Sequence, residues 1–89
     1  MFYTYVLRCG DGDLYVGSTI DLQQRLKQHR AGEVPATAHR LPVSLEYYEA
    51  CNSEPNARQR EKQLKTGFGR AYLKRRLAPK VAPRPQRFA

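Results

Sequence analysis

Two short runs rich in aromatic and β-branched residues, Phe2–Arg8 and Leu14–Gly17, flank the polar break Cys9-Gly10-Asp11-Gly12-Asp13. That pattern predicts two strands joined by a tight turn. The turn length decides what Tyr5 and Tyr15 can do together. A two-residue Asp11-Gly12 loop of type I′ pairs residues whose numbers sum to 23 and sends the two tyrosines to opposite faces. A three-residue loop, Gly10-Asp11-Gly12, places Gly12 at the left-handed position of a bulged turn. Pairs then sum to 22, so Tyr15 faces Leu7 and lies diagonal to Tyr5 on one face, about 7–8 Å away.

The rest of the chain can be read from its punctuation. Thr19-Ile20-Asp21 ends the hairpin and opens a helix over about 21–31, with Gly32 beyond it. Residues 33–42 hold two prolines and no period, and read as a loop. Residues 43–50 alternate as a third strand. Ser53 caps a helix over 54–65, with Glu54 and Pro55 in its first turn. Residues 66–69 break the chain, and 70–77 form a third, strongly basic helix. Prolines 79, 83 and 85 then alternate with Lys80, Arg84 and Arg87. The expectation is one domain over 1–78 and a basic, proline-rich, disordered tail over 79–89.

A chain of 89 residues buries one modest core. Its N-terminus does not resemble a signal peptide, and no run approaches the roughly 20 apolar residues of a membrane span. The expected location is the reducing cytoplasm. Cys9, Cys51, His29 and His39 fit no zinc-site spacing, so the cysteines are expected as reduced thiols near strand ends.

Charge narrows the partner. Residues 1–56 carry five Lys/Arg and seven Asp/Glu, whereas residues 57–89 carry eleven Lys/Arg and one acid, Glu61. Such polarity favours a polyanion, and nucleic acid is the expected partner.

Three side chains sit where charge is costly. On the first helix, Leu22 and Leu26 define the apolar stripe, with Arg25 about 60° and His29 about 20° from Leu22. They are either stems packed flat with their heads in water or a cationic pair aimed into a cleft. On the second helix, Ala57, Glu61 and Leu64 share the i, i+4, i+7 face that is buried. A carboxylate there is paired with an arginine such as Arg25, or holds a divalent cation against a phosphate backbone. Tyr5 and Tyr15 are strand packing when taken alone. Beside Arg25, His29 and Glu61 they form a candidate site.

That ordered set resembles the GIY-YIG nuclease family in its small, single-domain bacterial form. Tyr3-Thr4-Tyr5 and Tyr15-Val16-Gly17 resemble its two triplets, and Asp21-Leu22 with Arg25-Leu26 and His29 resembles its first helix. Thr37, Arg40, Pro42, Leu45, Tyr47 and Glu49 fit its loop and strand, and Arg60-Glu61-Lys62 falls at its metal-binding glutamate. The resemblance implies an α+β fold, a three-stranded antiparallel sheet flanked by about three helices as an α/β sandwich. It implies an endonuclease that hydrolyses phosphodiester bonds with one divalent ion, Mg²⁺ or Mn²⁺, on Glu61. Arg25 would bind the scissile phosphate, and Tyr5 would act as general base or position the water, with Tyr15 and His29 in support. Arg25 and the cation would lower the Tyr5 pKa. Arg40, Arg70, Lys74, Arg75 and Arg76 are the candidates for backbone phosphates of DNA or RNA.

Two departures stand out: Ser18 occupies a position where many relatives carry lysine, and no asparagine follows Asn56. A nuclease whose activity is weak or depends on a partner is therefore the expectation. The alternatives are a non-catalytic nucleic-acid-binding module or a basic accessory protein of a repair or ribosomal assembly. A shared site requires the three-residue turn.

Overall fold

The central strand β1 (Phe2–Arg8) pairs antiparallel with β2 (Leu14–Thr19) on one side and β3 (Ser44–Cys51) on the other, giving the order β2-β1-β3. These features come from a computed structural model that describes residues 1–77. The expected tail at 79–89 lies outside the described residues. Three helices complete the fold: α1 (Leu22–Arg30), α2 (Glu54–Leu64) and α3 (Gly67–Arg76).

The turn is the three-residue form. Leu7 pairs with Tyr15 and Tyr5 with Gly17, the register that sums to 22. Cys9 N–H donates to the Asp13 carbonyl at 2.9 Å, and Gly12 takes φ 88°, the left-handed region that glycine enters without strain.

Helices cover both faces of β1, so its residues are buried in succession and do not alternate with polar ones. One core gathers Tyr5, Leu7, Cys9, Leu26 and Val43 beneath α1, and the other gathers Val6, Val16, Leu64 and Leu73 beneath α2 and α3. Thr4 ties the second layer down by donating to the Ala57 carbonyl at 2.9 Å. Each helix has a polar cap that satisfies an amide of its first turn: Asp21 accepts from Gln24, Ser53 from Asn56 and Thr66 from Gly69.

Two expectations need correction. β2 runs to Thr19, past the expected end at 17. α3 starts at Gly67, inside the stretch expected to break the chain. Gly69 is there for a close approach and not as a breaker: a Cβ on it would run into the Gln63 carbonyl and the Leu64 backbone. With no side chain there, the first turn of α3 packs against the end of α2.

Candidate active site

Because cross-strand partners share a face, Tyr5 and Tyr15 point together towards α1, while Thr4, Val16 and Ser18 point towards α2. Tyr5 is 1 % exposed and its ring lies across Gly17. A Cβ at Gly17 would stand 2.5 Å from Tyr5 Oη and 2.7 Å from Cζ, so only glycine accepts the ring in this position.

Tyr5 Oη lies 2.8 Å from His29 Nε2, and His29 Nδ1 lies 2.8 Å from Thr37 Oγ1. The imidazole is fully buried, and the Tyr15 ring meets it edge-on at 5.3 Å between centroids. Burial, with the Arg25 charge nearby, lowers the His29 pKa to about 4. His29 is therefore neutral at pH 7, which removes the expected Arg25–His29 cationic pair. Arg25 alone supplies the charge. Its guanidinium donates to Gln28 Oε1 at 3.0 Å and has no carboxylate within ion-pair distance among the described residues.

Arg25 acts on the Tyr5 pKa in the expected direction, but the net shift is upward. Burial raises it above the ordinary value. Arg25 opposes that rise, and the charges of Tyr15 and Glu61 add to it. Burial outweighs one guanidinium because the tyrosinate would lose nearly all its water. Tyr5 is thus a neutral hydroxyl at rest.

Glu61 comes from α2, on the opposite face of the sheet, yet its charge reaches Tyr5. β2, which carries Ser18, is an edge strand. Ser18 Oγ donates to Glu61 Oε1 at 2.7 Å, and Lys65 Nζ stands 2.9 Å from Oε2. The side chain is 23 % exposed, so the carboxylate is reachable. Burial works to raise the Glu61 pKa, but the hydrogen bonds and charge of Lys65, with Ser18, hold it below the usual carboxylate range. The arginine partner expected for this acid is instead a lysine one turn along its own helix.

Among the described residues, no three His, Cys, Asp or Glu side chains cluster as a metal site. A single carboxylate is still enough for one kind of ion. Mg²⁺ keeps most of its waters and is commonly held by one or two carboxylates together with substrate phosphates. Glu61, ionised and beside the Ser18 hydroxyl, fits that limited demand.

Tyr5, Tyr15 and His29 pack against one another, and Arg25 lies near enough for its charge to act on Tyr5 and His29. Glu61 stands on the other face of the sheet with Ser18, and the five candidate phosphate contacts do not share one place. Arg70 and Lys74 line a groove with Tyr15. Arg40 is bound to Asp11 across the hairpin turn at 2.8 Å. Arg76 lies over the Tyr47 ring at 6.0 Å, and Arg75 faces outward, exposed. On the far side of the α2–α3 layer, Arg60 grips Glu49 with both Nε and Nη2 and stacks 4.9 Å from the Tyr72 centroid.

Three site contributors were not singled out as such from the sequence. Lys65 carried a legible signal, its i+4 spacing from Glu61. Ser18 was noted only for the lysine it replaces, and Thr37 only as part of a loop pattern. Their roles depend on the register and on how the 33–42 loop folds, which local sequence does not set.

A family model described as the GIY-YIG catalytic domain matches residues 1–76. The chain is 49 % identical over 72 residues to a UPF0213 protein of Streptococcus sanguinis, covering 80 % of this chain and 83 % of that one. It is 47 % identical over 72 residues to a UPF0213 protein of Streptococcus agalactiae, covering 80 % and 82 %. A UPF0213 protein of Bacillus halodurans, solved by solution NMR, superposes with TM-score 0.56 at 31 % identity over 89 % of each chain.

Proposed function

The chain belongs to the GIY-YIG family, and from that membership we propose that it is a divalent-metal-dependent endonuclease of the cytoplasm that hydrolyses phosphodiester bonds in nucleic acid, DNA first and RNA second. The observation that carries the reading is the buried Tyr5 hydroxyl, bonded to a neutral imidazole and flanked by an ion-pair-free arginine and a reachable carboxylate.

A neutral histidine has one N–H and one lone pair. With its hydrogen on Nδ1 towards Thr37, Nε2 accepts the Tyr5 proton as the tyrosine hydroxyl takes one from the attacking water. The tyrosine pKa is raised at rest, so no free tyrosinate is left behind: the Tyr5 proton passes to His29 Nε2 as the one from water arrives, and the nearby Arg25 charge favours the negative character that develops on Tyr5. Arg25 holds a non-bridging phosphate oxygen and offsets charge as the pentacoordinate state forms. Tyr15 keeps the imidazole edge covered and Gly17 keeps the Tyr5 ring in position. Glu61 would hold Mg²⁺ or Mn²⁺, which supplies Lewis-acid stabilisation of the phosphate and the departing oxygen. Lys65 must release Oε2 for that ion and is then free for a phosphate.

The test is nicking of supercoiled and branched DNA and of structured RNA with Mg²⁺, Mn²⁺ or EDTA. Wild type, Tyr5→Phe, Arg25→Ala and Glu61→Gln are compared. Cutting in either metal, lost in EDTA and in each variant, is expected. Cutting that survives all three substitutions identifies a contaminant. Lys65 on the Glu61 carboxylate favours the second reading, a non-catalytic binding module, in which nothing is cut and binding falls steeply with salt.

A further inference from the structure

A groove of about 780 Å³ runs between β2 and α3, beginning at Tyr15 and bounded by Lys65, the ion-pair partner of Glu61. Its chemistry has two parts. The floor is aliphatic, with the half-buried Leu14 and Leu77 over the buried Val16 and Leu73, and the rim carries Lys65, Arg70 and Lys74. The acids that also line it are Asp13 and Glu46, and Glu46 is 3.9 Å from Arg8, itself a lining residue. Arg70 and Lys74 have no ion-pair partner among the described residues.

Cations along a rim suit any phosphate backbone, but an apolar floor gains nothing from a duplex, whose base faces are stacked inside. An unpaired strand presents both: phosphates to the rim and base faces to the floor. The groove meets the candidate site at Lys65, the ion-pair partner of Glu61, on the α2–α3 face of the sheet.

We propose that the β2–α3 groove receives an unpaired nucleotide strand next to the scissile phosphate, so that the protein selects substrates with a single-stranded segment over uniform duplex. The inference rests on the nuclease reading for what happens next to the groove, but the groove's own binding does not require cleavage.

The test is fluorescence anisotropy of the full-length chain in EDTA, so that the result is independent of catalysis. The probes are a labelled 12-nucleotide poly-dT, its RNA counterpart poly-U and a 12-base-pair duplex. Wild type is expected to bind the single strands at least about fivefold tighter than the duplex, what burying roughly 40 Å² of apolar surface against the floor supplies. Leu77→Ser should remove most of that preference and leave duplex binding unchanged, whereas Arg70→Glu should weaken all three. The dT and U arms separate DNA from RNA as the preferred strand. Equal affinity for strand and duplex, unmoved by Leu77→Ser, overturns the proposal and leaves the nuclease reading standing. Altered self-association in Leu77→Ser with unchanged nucleic-acid affinity assigns the groove to a second copy. Lower melting temperature with unchanged affinity assigns it to internal packing. Either result also overturns the proposal.

Discussion

Substituting Gly17 by alanine probes the site without touching a polar group. The new Cβ would sit 2.5 Å from Tyr5 Oη and 2.7 Å from Cζ, against an ordinary contact of about 3.5–4.0 Å. The ring must therefore move by roughly 1 Å to regain normal contact. It has little room to do so, being 1 % exposed, with a fully buried His29 at 2.8 Å from its hydroxyl. A displacement of that size stretches the bond beyond hydrogen-bond range. Overpacking of about 1–3 kcal/mol adds to about 1 kcal/mol for the lost bond, so the variant should unfold roughly 2–4 kcal/mol more easily in urea. Misplacing the reacting hydroxyl by about 1 Å should lower single-turnover cleavage on the order of 10²-fold. Adding Tyr5→Phe removes the nearer of the two clashing atoms and should recover part of the stability but none of the activity. Wild-type stability together with a wild-type rate in Gly17→Ala would show that the Tyr5 ring does not cross Gly17, and the site geometry would fail with it.

The histidine predicts a pH effect with a definite sign. Its folded pKa of about 4 lies below the ordinary 6.5, so folding excludes a proton. Its contribution is complete above pH 6.5 and is lost as pH falls towards 4. At 1.36 kcal/mol per unit the loss between pH 7 and 5 is roughly 2 kcal/mol, measurable by urea unfolding. A His29→Gln variant should not show this loss, and a flat wild-type profile over the window would contradict the buried neutral imidazole. Glu49 and Glu61, whose pKa values are held below the usual 4.5, add their losses at lower pH. Gly67 and Gly69 form a matched pair: nothing stands near a Cβ at Gly67, whereas one at Gly69 strikes α2. Gly67→Ala should stabilise by up to about 1 kcal/mol and Gly69→Ala should destabilise by about 1–3 kcal/mol, read as midpoints of chemical denaturation. Arg60→Ala leaves the half-buried Glu49 carboxylate without its forked partner and strips the face of Tyr72. About 1–3 kcal/mol of stability should go with it, and a midpoint unchanged from wild type would place that pair among the inert surface ones.

The fold was legible where local chemistry and tertiary demand agree. Gly12 takes a left-handed φ in either turn, and the register expected so that Tyr5 and Tyr15 share a face is the one that forms. Caps at Asp21 and Ser53 marked two helix starts correctly. The start of α3 was misread because Gly67 and Gly69 look like breakers in sequence, while Gly69 answers to the backbone of α2, a contact invisible until the layers are stacked. Tyr5, Tyr15 and His29, grouped from the sequence, do pack together, but the states of His29 and Tyr5 were not legible. Periodicity placed His29 beside the core stripe without saying that it is wholly buried. Complete burial, which turns the expected imidazolium into a neutral acceptor, is a property of the closed 33–42 loop and of Tyr15. Tyr5 followed the same logic: the sequence supplied a cation to lower its pKa, and the packing that raises it instead comes from the whole layer. For Glu61 the helical face was right and the partner was not, since Lys65 is closer than any arginine.

The central claim is that Glu61 joins Tyr5, Arg25 and His29 in one phosphodiester-cleaving site. Its most direct measurement is the single-turnover cleavage rate across a Mn²⁺ titration for wild type and Glu61→Gln, with folding of both checked by circular dichroism. The account predicts a saturating rise for wild type and, for the variant, no cleavage above background at any Mn²⁺ concentration. A Glu61→Gln protein that cuts at the wild-type rate with the same Mn²⁺ dependence would contradict it.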